Sequence, residues 1–223
     1  MPTEPAGRRP LKSRDLPFFK NLASRLARGG ATPNAISFTS IVCGCCAGAA
    51  LAATAHFDDW LLRACWLAAA AGIQLRLIAN LLDGMVAVEG RKGGPVGDLW
   101  NEAPDRVSDA AIFIGAGFAA GSLPVLGFAA ALVAVFVAYV RALGASVGAG
   151  QCFLGPQAKP QRMALMTGVC VLSSALPTYS TLSGPQPLPA LAMALWVVIA
   201  GGIVTAWRRL AFIADFLRKK SPP

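Results

Sequence analysis

The chain has 223 residues, 55% of them hydrophobic and 14% charged, with a mean hydropathy of +0.56 and a formal net charge of +9. A soluble domain of this length does not carry so large an apolar fraction, so the composition points to a membrane protein. In that setting the positive excess fits anionic lipid headgroups and phosphates and argues against nucleic acid as a partner.

Residues 1–14, with Arg8, Arg9, Lys12 and Arg14, read as a disordered basic tail. No uninterrupted apolar core of a cleavable signal is visible in residues 1–30. Within 15–30, Leu16, Phe19, Ala23 and Leu26 recur at helical spacing with Lys20, Arg25 and Arg28 between them. That pattern predicts an amphipathic helix lying on a membrane surface, with an unstructured basic arm as the alternative. Six apolar segments follow, at about 35–55, 61–82, 106–122, 124–147, 163–181 and 188–210. Each is near the roughly 20 residues that a spanning helix needs. The third starts with Asp105 and Arg106 and so carries charge at its base. The expected fold is an all-α membrane protein: six transmembrane helices within 31–212, an N-terminal amphipathic interfacial helix and a basic C-terminal tail over 213–223.

Basic residues set the orientation. Arg91 and Lys92 follow the second apolar segment, Lys159 and Arg162 follow the fourth, and Arg218, Lys219 and Lys220 close the chain. The opposite loops at 56–60, 121–124 and 179–187 hold no Lys or Arg. The positive-inside rule then makes both termini and the 80–105 segment cytoplasmic, as expected of an integral protein of a bacterial inner membrane. Among the six cysteines, Cys43, Cys45 and Cys46 cluster, but no His or Cys group accompanies them; neither zinc nor a disulfide is expected. The pairs Gly44/Gly48, Gly117/Gly121 and Gly144/Gly148 permit close helix approach and hence a homodimer.

Residues 80–105, NLLDGMVAVEGRKGGPVGDLWNEAPD, carry the chemistry. Asn80 and Asp83, three apart, share a helix face; Asn101 and Asp105, four apart, share another near the start of the next helix. Pro104 is expected in that helix's first turn, where its missing N–H costs little. Gly84, Gly90, Gly93, Gly94 and Gly97 let the backbone approach something bulky and negative. Two such faces would offer oxygen ligands to a hard divalent ion that binds a diphosphate. Each residue also has a plainer reading. Asn80 and Asn101 would serve as caps or interhelical hydrogen-bonding groups, Asp83 as a solvated charge, and Asp105 as a partner of Arg106. Arg76 would bind phosphate or an internal carboxylate. Lys159 and Arg162 would hold phosphates or only set topology.

The spacing resembles the signature of the CDP-alcohol phosphotransferases, D-x2-D-G-x2-A-R-x8-G-x3-D-x3-D. Asn80, Asp83, Gly84, Ala87, Gly97, Asn101 and Asp105 fall on seven of its eight positions, and Val88 stands where the Arg belongs. Thr32, Pro33 and Asn34 before the first span resemble that family's opening motif, and Arg141, Lys159 and Arg162 its basic loop. The resemblance covers roughly residues 16–212. It implies a six-helix membrane enzyme, commonly dimeric, that needs Mg²⁺ or Mn²⁺ and transfers a phosphatidyl group from CDP-diacylglycerol to an alcohol acceptor with release of CMP, a step of phospholipid biosynthesis. Carried over, Asn80, Asp83 and Asn101 are metal ligands, and Asp105 is both a ligand and the general base. Gly84, Ala87, Gly97, Arg141, Lys159 and Arg162 would lie against substrate. Two signature carboxylates are amides here, which removes two formal charges. At most one tightly held ion is therefore expected before substrate arrives. A non-catalytic relative that binds lipid or nucleotide is the second reading, and a small transporter the third.

Overall fold

The computed structural model describes residues 16–89, 97–176 and 190–220. Within them the chain forms seven helices: α1 (Pro17–Arg28), α2 (Pro33–Ala53), α3 (Asp59–Glu89), α4 (Gly97–Gly117), α5 (Pro124–Ser146), α6 (Lys159–Ala175) and α7 (Ala190–Lys220). Proline occupies the first or second position of α1, α2, α5 and α6, where its fixed φ suits the helix and its missing N–H breaks no bond. Thr32 adds a side-chain cap to α2, its hydroxyl accepting from the Ala35 N–H at 3.3 Å.

Four described helices are long and apolar enough to cross a membrane: α2, α3, α5 and α7. The six spans read from the sequence are reduced to four by this measure. The first thirteen residues of α4 carry Asp98, Glu102, Asp105, Arg106 and Asp109, and α6 has 17 residues. Several helices also overrun the apolar windows. α3 continues to Glu89 and α7 to Lys220, while α4 begins at Gly97. Hydropathy reports contact with lipid, whereas helix length follows the backbone hydrogen-bond ladder, which continues through polar residues. Pro104 is accordingly inside α4 rather than in its first turn.

α2 packs between α3 and α4, α6 against α3, and α7 against α5 and α6. Ser37, Ser40, Gly44, Ala47, Gly48 and Leu51 line the buried face of α2. A Cβ built on Gly44 would stand 2.7 Å from the Ser108 Cβ of α4, closer than any side chain tolerates. Gly48 meets the Ala111 backbone in the same way. This small-residue pair, read in the sequence as permitting a dimer, is occupied by contacts within one chain. The main core includes Trp66 and Ile73 of α3, Ile112 and Phe113 of α4, Met163 and Met166 of α6, and Leu195 and Val198 of α7.

α1 forms over the segment expected to be helical. Phe19, Leu22, Ala23 and Leu26 pack against Leu82 and Val86 near the end of α3, while Arg25 and Arg28 are exposed. Because successive helices run up and down, the starts of α2, α4 and α6 meet the ends of α3, α5 and α7. The polar residues of the motif gather at that end of the bundle.

Candidate active site

Asp83 sits on α3 one turn after Asn80 and is 4% exposed. Its Oδ2 accepts a hydrogen bond from Ser37 Oγ of α2 at 2.8 Å, and its Oδ1 is buried with no protein partner. Asp105 on α4 is 6% exposed. Its Oδ1 and backbone carbonyl both accept from Arg76 Nη2, at 3.0 and 3.3 Å, and its Oδ2 pairs with Lys159 Nζ at the start of α6. The Asn80 amide, oriented to satisfy both neighbours, donates to Asp105 Oδ1 at 2.8 Å and accepts from Lys159 Nζ at 2.8 Å. Three helices thus meet through three side chains. Asp83 also lies within electrostatic reach of Asp105 and Lys159.

One turn deeper, Asp109 is clamped between Arg76 Nη2 on its Oδ1 and Arg162 Nη2 on its Oδ2, each at 2.5 Å. Arg76 has no solvent exposure, and Arg162 is 3% exposed. Asp105 and Asp109 are therefore paired with Arg76, Lys159 and Arg162, and the nearby Asp83, held by Ser37, brings the formal charges into balance. Charges this deep persist only when paired, because each loses several kcal/mol of hydration. Serine hydroxyls tie α2 to both α3 and α4: Ser40 Oγ donates to the Arg76 carbonyl at 3.3 Å, and Ser108 Oγ to the Ser40 carbonyl at 3.2 Å.

The structure brings Asn80, Asp105 and Lys159 into contact with Asp83 close by, although the spacing pairs only Asn80 with Asp83 and Asn101 with Asp105. Gly84 and Ala87 follow on α3 as partly exposed positions, and Val88 is 53% exposed. Gly97 opens α4. Asn101 falls on α4 one turn before Asp105, but its side chain lies outside the described residues, as do Gly90, Arg91, Lys92, Gly93 and Gly94. Arg162, expected against substrate phosphates, instead points inward to Asp109. Of the two readings of Arg76, ion pairing is the one observed. Arg141, near the end of α5, engages Glu102 Oε1 at 2.5 Å and stacks over the Phe153 ring at 5.9 Å from its centroid. Glu102 binds Arg106 as well, and the same Arg106 Nη2 stands 3.8 Å from Asp105 Oδ2, so the pairing of Asp105 with Arg106 read from the sequence is also present.

Ser37 and the Asp109–Arg162 pair were not singled out in the sequence. The buried face of α2, small or polar at helical intervals, was the available sign of the first. The second joins residues 53 positions apart and leaves no local pattern. The segment before α6 is held from the other side by α7. Arg209 donates to the Leu154 and Val137 carbonyls at 3.0 and 2.9 Å, and Thr205 Oγ1 accepts from the Gln157 N–H at 3.0 Å. Gly155 passes Thr205 with φ +117, a conformation open to glycine alone.

The described helices and this mouth define an integral membrane protein with an ion-paired polar site at one end of its bundle. No protein-family model matches the sequence, and no curated protein matches it. Solved structures do. Phosphatidylinositol phosphate synthase of Mycobacterium tuberculosis, in complex with manganese and citrate, superposes with a TM-score of 0.69 at 18% identity, over 87% of this chain and 88% of that one. The same synthase with CDP-DAG bound gives 0.69 at 19% identity, over 89% and 94%. Its apo form gives 0.66 at 20%, over 86% and 94%. The chain therefore shares the fold of that synthase.

Proposed function

We propose that the protein is a CDP-alcohol phosphatidyltransferase that moves a phosphatidyl group from CDP-diacylglycerol to an alcohol and releases CMP. The observation that carries this reading is the convergence of Asn80 and Asp83 of α3 with Asp105 of α4 at one mouth, on the signature spacing. The fold of a synthase solved with CDP-DAG supports it.

The donor set fits one divalent cation, Mg²⁺ or Mn²⁺. Asp83 Oδ1 is buried without a partner, and the Asn80 and Asp105 oxygens lie at the same mouth. Among the described residues there is no group of three or more His, Cys, Asp or Glu suited to a metal, so an ion here would depend on the Asn80 amide oxygen beside the two carboxylates. Asn80, Asp83 and Asp105 would hold it, joined by Asn101 if that amide points inward. When bound, it would neutralise the diphosphate and stabilise the departing phosphate.

The remaining work falls to the protein. Asp105 takes the proton of the acceptor hydroxyl, whose oxygen attacks the phosphorus nearest the lipid. The new P–O bond forms as the bond to the bridging diphosphate oxygen breaks, and CMP leaves with that electron pair. Arg76 holds Asp105 in place through its carboxylate and its backbone carbonyl. Ser37 orients Asp83. Gly84, Ala87 and Gly97 let the nucleotide approach the backbone, while Arg141 and Lys159 meet phosphate oxygens. Positioning and charge neutralisation supply most of the rate gain in such displacements. The acyl chains remain in the bilayer, the mouth and both termini face the cytoplasm of a bacterium, and the enzyme works as a homodimer.

The full cancellation of charge in the mouth favours a second reading, a relative that binds lipid or nucleotide without turnover. Incubating the purified protein with CDP-diacylglycerol, Mn²⁺ and a panel of alcohols decides between them. Release of CMP with a matching lipid product establishes the transferase. Binding of CDP-diacylglycerol with no CMP from any alcohol establishes the second.

A further inference from the structure

We infer that Lys159 is the resident cation of this site and that it and a divalent ion occupy the Asn80–Asp105 mouth in alternation. The inference rests on the transferase reading and concerns how this chain's own lysine controls loading of the site.

The first observation is a closed ring of contacts. Lys159 Nζ pairs with Asp105 Oδ2, the Asn80 amide nitrogen donates to Asp105 Oδ1, and the Asn80 oxygen accepts from the same ammonium. A carboxylate at position 80 would not close that ring. It has no proton to donate, and it would face Asp105 with like charge. The amide that departs from the family signature thus bonds both the lysine and the general base without adding a charge that would hold the ammonium more tightly.

Charge supplies the second observation. Asp105 and Asp109 already meet Arg76, Lys159 and Arg162 in a nearly dry cluster, with the Asp83 carboxylate beside them, so the three formal charges of each sign balance. A divalent ion added beside Lys159 would leave two uncompensated positive charges there. Withdrawal of the ammonium halves that excess before the donor's diphosphate arrives.

The third is mechanical. Lys159 is the first residue of α6, and its side chain is 20% exposed, whereas those of Arg76 and Arg162 are 0% and 3% exposed. The two arginines are fixed by buried carboxylates. Lys159 has a flexible four-carbon stem and a side chain that already reaches solvent in part. Once it leaves Asp105 it frees that carboxylate for the acceptor's proton, and its ammonium stands at the rim where phosphate oxygens enter. One movement therefore empties the cation seat, unmasks the base and presents a phosphate contact.

The test is Mn²⁺ binding to the purified, substrate-free protein, read from the electron paramagnetic resonance of free Mn²⁺. Lys159→Met should bind Mn²⁺ at least about tenfold more tightly than the unaltered protein, because the competing charge is gone. Lys159→Arg, which keeps the cation, should show no gain, and Asn80→Asp should bind more tightly. Thermal melting checks that each variant is folded. A second measurement needs no substitution: acylation of Lys159 by a water-soluble ester, followed by mass spectrometry, should rise several-fold when Mn²⁺ is added. Lys159→Met binding no more tightly, unchanged acylation, or no Mn²⁺ binding in any variant would overturn the inference. The transferase reading fails separately, on absence of CMP release, and that result leaves the Mn²⁺ titration free to stand or fall on its own.

Discussion

Arg76 joins Asp105 and Asp109 from a position without solvent exposure, so its loss would strand two buried carboxylates. Arg76→Met is expected to destabilise the protein by about 3–5 kcal/mol, measured by denaturant titration in detergent. Arg76→Lys should recover only part of this, since one ammonium lacks the fork that reaches both carboxylates and the Asp105 carbonyl. Asp105→Asn keeps the shape of the mouth but removes the proton acceptor. CMP release should fall by about 10²–10⁴-fold with little change in CDP-diacylglycerol binding. Asp83→Ala should abolish metal-dependent CMP release, and surviving activity would dismiss Asp83 as a ligand. Asn80, Asp83 and Asp105 were legible as a site because their spacing is local to two helices. The pairing of Arg162 with Asp109 was not legible, because the two residues lie on different helices 53 positions apart.

At the scale of elements, α2 brings α3 and α4 together only because its facing side carries no bulk. Gly44→Val would press side-chain atoms into Ser108 and should lower stability by about 1–3 kcal/mol while also reducing activity, since Ser37 and Asp83 share that interface. A comparable loss of stability without loss of activity would separate the interface from the site. α7 plays a corresponding part for α6. Arg209 and Thr205 pin the 147–158 segment that delivers Lys159, so Arg209→Met should increase hydrogen exchange there and weaken substrate binding. The extension of α3 and α4 beyond their apolar windows belongs to this scale too. Those polar turns carry Asp83 and Asp105, and hydropathy alone would have ended or begun the helices too near them.

For the molecule as a whole, the distribution of basic residues predicts an orientation. In a background without native cysteines, a cysteine at Ser122 should react with a membrane-impermeant maleimide in intact cells, while one at Gln151 should react only after permeabilisation. The reverse pattern would place the mouth on the wrong side for a cytoplasmic nucleotide donor. The large apolar side chains left exposed, among them Phe128 and Leu132 on α5 and Trp196 and Trp207 on α7, are those of a bundle surrounded by lipid or by a second copy. Cross-linking in the membrane, with the dimer expected, reads the second arrangement.

By itself the sequence determined that the chain is a helical membrane protein and that residues 80–105 hold the polar motif. Each of these follows from composition or from spacings of a few residues, over which helix geometry is a reliable ruler. Only the tertiary structure decided which cations meet which carboxylates, that Lys159 rather than Arg162 reaches Asp105, and that Gly44 and Gly48 serve contacts within one chain. Those pairings join residues dozens of positions apart, and their energies depend on burial that exists only once the helices have packed.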